Sequence, residues 1–357
     1  MSAPAVQVRG IASAVPTTIA TVEEGVRRFG EAALKIANST GIRNRRVAGP
    51  DMCTSDLCLA AASRMLAGLG WAPHTIDVML MVTQTPDYVL PATSCALHAK
   101  LGLSKHCACL DVGLGCSGYV VGLWLATSLL QSGAARRVLL LAGDTISRTV
   151  SSDDRSVAML FGDAGTATAL EVGVEDDAGF VFEIGTDGRG AEHIMIPAGG
   201  FRHPVRGPAD PGGERRSEHL SMNGAEVFAF TLREVPPLVR SLLDKAHWTL
   251  DDVDSVVMHQ ANRFILEHLG KKMEIPAHKV VIELEGFGNT SSASIPLAIT
   301  QSLGLELERS RRRLLLAGFG VGLSWAGAAL SCGPMFVPPV MALASDGSTT
   351  DLQRGRE

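Results

Sequence analysis

One cysteine of the 357-residue chain stands at a predicted strand-to-helix turn, a setting that favours nucleophilic chemistry. The segment 110–118 reads LDVGLGCSG, so a strand ends, two glycines loosen the turn and a long apolar helix begins near Cys116. A thiol at a helix N-terminus lies at the positive end of the helix dipole, which lowers its pKa and favours the thiolate. The segment therefore predicts a nucleophile, and the alternative is a small buried apolar residue, the usual role of a free cysteine.

A histidine and an asparagine in the second half of the chain are suited to stabilising an oxyanion. His259 follows the predicted strand Val253–Met258, and open α/β sheets build their sites at the carboxyl ends of strands. An imidazole can donate from one ring nitrogen when the other is held. Asn289 lies in a second glycine-loosened turn, residues 285–294, and its amide can donate without exchanging a proton. A structural histidine and a turn asparagine are the alternatives.

The bulk composition excludes several classes of protein. Hydrophobic residues make up 46% of the chain, charged residues 19%, and the net charge is −5, which argues against a nucleic-acid-binding protein. The seven cysteines include no CxxC pair, so no metal site is indicated and reduced thiols in a cytoplasm are expected. The N-terminus lacks the pattern of a signal peptide. The longest apolar stretch, Tyr119–Leu130, is too short to span a membrane, so we expect no membrane association.

Internal repetition indicates two related halves. Trp248 and Asp254 repeat the spacing of Trp71 and Asp77, and each pair precedes an apolar run. The run that begins at Arg137 resembles the run that begins at Arg312 at nearly the same offset. We therefore expect an N-terminal half at residues 1–175, a C-terminal half at 176–333 and a disordered tail at 334–357.

Strand-length apolar runs alternate with helical patterns in both halves, which is typical of parallel βαβ units. The predicted strands are Val78–Val82, Ala108–Val112, Val138–Ala142, Val253–Met258, Val280–Glu283 and Leu314–Ala317. The predicted helices are Leu57–Leu69, Ser117–Gln131, Val227–Ala246, Asn262–Lys272 and Ser294–Leu303. The segment Gly199–Ser217 is dense in Gly, Pro and Arg, which predicts a mobile loop or lid.

Six segments together resemble the ketoacyl-ACP synthase III family of condensing enzymes, over roughly residues 8–332. They are Thr40–Arg46 (TGIRNRR), Cys116–Gly118, Phe161–Gly165, His259–Asn262, Gly288–Ser291 and Gly318–Trp325. The resemblance implies an α/β thiolase fold, with duplicated βαβαβ halves in a five-layered α-β-α-β-α arrangement. It also places the family's catalytic triad on Cys116, His259 and Asn289.

The resemblance implies a two-step reaction. Cys116 would take an acyl group from an acyl-CoA or an acyl carrier protein, with the backbone N–H groups of Cys116 and Val321 forming the oxyanion hole. Malonyl-ACP would then lose CO₂, and His259 and Asn289 would hold the enolate that attacks the acyl group. No metal and no permanently bound cofactor is implied. The expected partners are acyl carrier protein, acyl-CoA and a second copy of the chain in a homodimer.

The same resemblance assigns donor-binding and pocket residues. Arg155, Arg43 and Asn262 are expected to bind the donor, although Lys35 stands where the family usually has a stacking Trp. The acyl pocket is expected to include Leu90, Phe319 and Arg148. Leu90 replaces a Phe of many members, which favours an acyl group larger than acetyl, and Arg148 could pair with a carboxylated acyl group or serve a structural ion pair. Seven basic residues form either a basic face that binds the carrier protein or a set of solvated surface charges without a partner. They are Arg202, Arg206, Arg215, Arg216, Arg263, Lys271 and Lys272.

Other functions remain open from the sequence. The same triad could pass the acyl group to an alcohol or amine instead of an enolate. A plant-type polyketide synthase shares the triad, but the TGIR segment at 40–43 favours the family named above. A thiolase would need a second cysteine in the turn at 318–325, and a catalytically inactive scaffold would be expected to lack the triad.

Overall fold

A computed structural model describes residues 4–173, 179–204 and 218–354 of the chain. The strands are β1 Val6–Pro16, β2 Ile19–Thr21, β3 Asn44–Arg46, β4 Val78–Val82, β5 Ala108–Val112, β6 Arg137–Asp144, β7 Ala164–Val172, β8 Val181–Thr186, β9 Ile194–Met195, β10 Ser221–Met222, β11 Ser255–Met258, β12 Arg312–Gly320, β13 Ser324–Cys332, β14 Met341–Leu343 and β15 Thr349–Asp351. The helices are α1 Val22–Phe29, α2 Glu31–Thr40, α3 Thr54–Leu69, α4 Thr93–Lys100, α5 Gly118–Gln131, α6 Gly224–Ala246, α7 Arg263–Lys272, α8 Ser294–Ala298 and α9 Gly304–Arg309. A π-helical segment, Ile299–Leu303, joins α8 to α9.

Two sheets carry the fold, and their strand orders repeat. The larger sheet has the order β15-β14-β1-β7-β6-β4-β5, and the smaller has β11-β12-β13-β8. The order β8-β13-β12-β11 therefore matches β1-β7-β6-β4. The pairing directions match too, because β4 and β6 are parallel as β11 and β12 are, while β6–β7 and β12–β13 are antiparallel. The predicted duplicated α/β arrangement is confirmed.

Three apolar clusters show why the fold has five layers. One cluster joins α5 and α8 to both sheets, with Tyr119, Leu140 and Leu316 buried between them. A second packs α3 against the outer face of the larger sheet, and a third packs α6 and α7 against the outer face of the smaller one. The central strands are almost continuously apolar because both of their faces are covered. The predicted α-β-α-β-α layering is confirmed.

Two predictions of secondary structure are wrong. Val280–Glu283 is not a strand, since the described backbone there makes only an isolated bridge between Val280 and Val256. The tail at 334–357 is ordered through residue 354: β14 pairs in parallel with β1, and β15 pairs with β14. Its apolar stretch covers the edge of β1, and Val337 and Val340 are fully buried. The polar residues that follow suggested disorder but lie in the turn and the outer strand of this hairpin.

Two sequence predictions concern residues outside those described. The proposed boundary at 175/176 falls within 174–178, and most of the predicted loop Gly199–Ser217 falls within 205–217. Across the described residues, every helix is either too short or too polar to cross a lipid bilayer.

Candidate active site

Cys116 lies in the turn between β5 and α5, with its side chain almost wholly buried at 9% exposure. The helix begins at Gly118, one residue after the predicted start at Ser117, so Cys116 lies just before the helix and not in it. The turn at 318–322 from the second half closes over the sulfur. A Cβ added to Gly320 would lie 2.7 Å from Cys116 Sγ, and one added to Gly318 would lie 2.7 Å from the Cys116 carbonyl oxygen. Glycine at these two positions is what allows the two halves to meet at the thiol.

The predicted lowering of the Cys116 pKa is wrong. Burial raises the pKa of Cys116 to about 12, and the carboxylate of Asp144 adds to the increase. The amide of Val321 and the hydroxyl of Ser291 act in the opposite direction by donating to the sulfur. Desolvation penalises a thiolate more than these dipoles stabilise it. The resting group is therefore a neutral thiol.

His259 stands directly after β11 and is fixed at both its backbone and its ring. Its backbone N–H donates to the Ala317 carbonyl over 2.8 Å, and its Nδ1 lies 2.7 Å from Ser294 Oγ. Ser294 Oγ also accepts from the Gln260 N–H at 3.4 Å, and we assign its own hydrogen to the bond with Nδ1. The proton of the ring is then on Nε2. Burial lowers the pKa of His259 to about 3, so the ring is a neutral donor at physiological pH.

Asn289 is held by its neighbours with its amide group oriented for donation. Its backbone N–H donates to Leu160 O over 2.9 Å, and its carbonyl accepts from Gly162 N over 3.0 Å. The side-chain Oδ1 accepts from the Ser291 N–H over 2.9 Å. With the oxygen engaged in this way, the NH₂ end is the part of the amide that can donate to a substrate.

Ser291 contacts all three of these residues, and sequence reasoning missed it. Its hydroxyl donates to the Cys116 sulfur, its N–H donates to the Asn289 side chain, and its carbonyl accepts from the His259 ring. Its φ is +52°, a left-handed conformation that costs a residue with a Cβ about 1–2 kcal/mol. Asn289 was predicted from the same turn, but nothing in the run GNTSS distinguishes Ser291 from its neighbours.

A cavity of about 320 Å³ brings the three predicted catalytic side chains together. Its wall includes Cys116, His259 and Asn289, and Phe319 and Asn262 also line it. The rest of the lining is mainly apolar and includes Ile146, Leu160, Ile194, Leu220, Val227 and Ile265. Such a wall suits an aliphatic acyl chain, with the few polar groups collected at the thiol.

A larger cavity, about 760 Å³, lies on the outside of the larger sheet between α3 and the C-terminal hairpin. Residues 51–64 and 341–349 supply its wall, and it contains none of the three catalytic candidates. The candidate active site is therefore recognised by the position of the thiol and not by the size of the cavity.

The structure places Arg148 and Leu90 away from the apolar cavity. The Arg148 guanidinium donates to the backbone carbonyls of Gly49, Pro50 and Met52. These bonds hold the loop at 49–52, and Arg148 is not among the residues that line the cavity, which favours the structural role over pairing with a carboxylated acyl group. Leu90 is 84% exposed in the single chain.

The residues expected to bind the acyl donor are divided between the cavity and the surface. Asn262 lines the cavity and caps α7, because its Oδ1 accepts from Ile265 N over 2.8 Å. Arg155 is exposed. Arg43 is exposed as well and lies 4.0 Å from a carboxylate oxygen of Glu285. Among the described residues, His, Cys, Asp and Glu form no group that could hold a metal ion.

The comparisons with known proteins agree with this geometry. Residues 110–188 match the family described as 3-oxoacyl-[acyl-carrier-protein (ACP)] synthase III, and residues 243–332 match its C-terminal part. A beta-ketoacyl-[acyl-carrier-protein] synthase III from Roseiflexus castenholzii is 36% identical over 323 residues, which are 90% of this chain and 97% of that protein. The chain belongs to the 3-oxoacyl-ACP synthase III family. It is therefore an acyl-transferring condensing enzyme.

Solved structures of this family support the same assignment. A 3-oxoacyl-(acyl-carrier protein) synthase from Burkholderia xenovorans superposes with a TM-score of 0.90 and 44% identity, covering 95% of this chain and 98% of that one. The priming beta-ketosynthase of the R1128 polyketide pathway gives a TM-score of 0.80 and 30% identity, covering 93% and 97%. The thiolase fold and the synthase III family expected from the sequence are thus confirmed.

Proposed function

We propose that this enzyme loads an acyl group onto Cys116 and condenses it with malonyl-ACP to give a 3-oxoacyl thioester. The observation that carries the proposal is the convergence of one thiol and two neutral hydrogen-bond donors on one apolar cavity. Among the described residues, the side chains of His259 and Asn289 hydrogen-bond to serines and not to carboxylates, so the pair suits stabilisation of an oxyanion better than a proton relay. No step requires a metal or a permanently bound cofactor.

In the first step, the Cys116 sulfur adds to the donor thioester and the donor thiol leaves with the proton of Cys116. The backbone N–H groups of Cys116 and Val321 are proposed to hold the oxyanion of the tetrahedral intermediate. The Val321 amide already donates to the sulfur in the empty site, so it lies close to the reacting atoms. Because the pKa of the thiol is raised, the sulfur must lose its proton as it adds to the thioester.

In the second step, the C–C bond to the malonyl carboxylate breaks, CO₂ leaves and the electrons move into an enolate. The Asn289 amide is proposed to donate to the enolate oxygen, together with His259 Nε2–H, which would exchange its bond to the Ser291 carbonyl for one to the substrate. The enolate carbon then attacks the acyl carbonyl, and the Cys116 sulfur leaves and regains a proton. Removing one such donor typically costs about 3–4 kcal/mol of transition-state stabilisation.

The acyl donor is proposed to be an acyl-CoA or an acyl carrier protein, with malonyl-ACP as the extender. The described part of the predicted basic face supports an acidic carrier, because its cations are exposed at the two ends of α7 and on the loop at 202. They are Arg202, Arg263, Lys271 and Lys272. Arg43 and Arg155 are proposed to hold the nucleotide end of an acyl-CoA, with no aromatic residue at Lys35 to stack on the adenine.

A homodimer is proposed from exposed apolar residues around one sheet edge. Strand β5 is the last strand of the larger sheet and has a free edge in the single chain. Large apolar side chains are exposed on or near it, and a second copy would cover them. They are Tyr88, Val89, Leu90, Leu110 and Trp124. In such a dimer, the exposed Leu90 is proposed to contribute to the acyl pocket of the partner.

Intact-mass spectrometry with a panel of acyl-CoA and acyl-ACP donors tests the proposed function. The expected result is a mass increase equal to one acyl group in the wild type and none in Cys116→Ala. Adding malonyl-ACP should then release CO₂, which separates condensation from transfer to an alcohol or amine. A folded wild type that no donor acylates would overturn the proposal.

A further inference from the structure

Asp144 is a wholly buried carboxylate beside the active site that the reaction described above does not use. It ends β6, and its side chain has no exposed surface. Burial raises its pKa, and the hydrogen bonds that it accepts act against that increase. A buried carboxylate is costly unless its oxygens are satisfied, so its partners indicate what it does.

The two oxygens of Asp144 join the two halves of the chain. Oδ1 accepts from the Thr83 hydroxyl at 3.1 Å and from the Gln84 N–H at 2.7 Å, both in the first half. Oδ2 accepts from the Ser292 N–H at 3.1 Å and the Ser292 hydroxyl at 2.7 Å, in the second half. All of these groups are uncharged donors, and an ionised carboxylate has lone pairs enough on its two oxygens to accept from all of them at once.

The segment held by Oδ2 is the turn that touches the catalytic residues. Ser291 immediately precedes Ser292 and contacts Cys116, His259 and Asn289 as described above. Its left-handed backbone needs external contacts to persist, and the two bonds from Ser292 to Asp144 supply them. The Ser291 hydroxyl also lies within reach of Asp144, so it stands between the carboxylate and the sulfur.

We propose that Asp144 is a positioning residue, whose carboxylate holds the Ser291–Ser292 turn in place and thereby aligns the His259 and Asn289 donors with Cys116. This inference rests on the proposed function, since it names the group that sets the geometry of the decarboxylation step. Cys116 is anchored separately, by the β5–α5 turn. Loss of Asp144 should therefore impair decarboxylation more than acylation.

Asp144→Asn tests the inference because asparagine has the same shape but cannot accept at both ends. The NH₂ end of the new amide would face the donors of either Ser292 or Gln84, and two facing donors form no hydrogen bond. We expect malonyl-ACP decarboxylation to fall by about 10²-fold, as for a donor misplaced by about 1 Å, while acylation of Cys116 falls much less. The pH profile of Cys116 alkylation by iodoacetamide should also shift by about one unit or more toward lower pH, because a neighbouring negative charge is gone.

Asp163→Asn is the matched control. Asp163 is also a fully buried carboxylate, and it accepts from neutral donors on Ala48 and Ser147. This variant should lose stability comparably in a thermal melt, but it should keep the wild-type ratio of decarboxylation to acylation and the wild-type alkylation profile. If Asp144→Asn does not fold, Ser292→Ala replaces it and should change the ratio in the same direction with a smaller loss.

The outcomes separate this inference from the proposed function. Equal losses of both half-reactions in Asp144→Asn, with an unchanged alkylation profile, would overturn the positioning role. An unchanged ratio in a folded Ser292→Ala would overturn it as well. A wild type that neither acylates nor decarboxylates would refute the proposed function instead, and the alkylation profiles would still report whether Asp144 acts on the thiol.

Discussion

Gly320→Ala is a substitution whose effect can be worked out from the contact between the two halves of the enzyme. The added Cβ would lie 2.7 Å from Cys116 Sγ and 2.8 Å from Cys116 Cβ, whereas ordinary contacts of such atoms begin at 3.4 Å. The sulfur or the 318–322 turn must therefore move by about 0.7 Å or more, the difference between 3.4 and 2.7 Å. A displacement of that size at a reacting atom costs about 10²-fold in rate. We expect Gly320→Ala to fold and to acylate about 10²-fold more slowly.

The assay is the rate of appearance of the acylated protein by intact mass, with a thermal melt to show that the variant is folded. Gly113→Ala is the matched control, because a Cβ there meets no atom within 4 Å although Gly113 lies in the turn before Cys116. It should acylate at the wild-type rate. If Gly320→Ala acylates as fast as the wild type, or if Gly113→Ala is equally slow, the reasoning about close approach at the thiol is refuted.

Three further predictions concern the chemistry of the residues proposed as catalytic. Because the pKa of Cys116 is raised to about 12, the rate of its alkylation without added acyl donor should keep rising with pH beyond 9. A plateau of that rate below pH 8 would contradict this. Asn289→Ala should raise the activation free energy of malonyl-ACP decarboxylation by about 3–4 kcal/mol and leave the rate of acylation unchanged. An equal loss of both rates would be inconsistent with the proposed role of Asn289. Ser294→Ala removes the partner of His259 Nδ1, so that either ring nitrogen can carry the proton. Decarboxylation should then slow, and ¹⁵N NMR should show a mixture of the two tautomers. A single unchanged tautomer would argue against control of the ring by Ser294.

The sequence was informative where local patterns decide the structure. Cys116, His259 and Asn289 each follow a strand end or a glycine turn, and such patterns are visible in a single chain. Parallel strands place their carboxyl ends at one edge, so the meeting of these residues was predictable from the duplication. The five-layered arrangement followed from the family resemblance.

Features set by long-range packing were not predictable. The dipole of α5 suggested a thiolate at Cys116, but the 318–322 turn buries the sulfur, and desolvation outweighs the dipole. The polar C-terminal residues suggested disorder, but β14 completes a sheet with β1, more than 300 residues earlier in the chain. Arg148 was assigned to the acyl pocket from its position in the sequence, but its guanidinium donates to backbone carbonyls at 49–52.

Single-turnover stoichiometry tests the central claim most directly. The enzyme is acylated to completion, freed of excess donor and mixed with malonyl-ACP, while CO₂, the mass of the protein and the carrier-bound product are followed together. The account predicts that one CO₂ is released and one 3-oxoacyl thioester appears for each acyl group lost from Cys116. Loss of the acyl group without CO₂, or an acyl adduct that persists in Cys116→Ala, would contradict it.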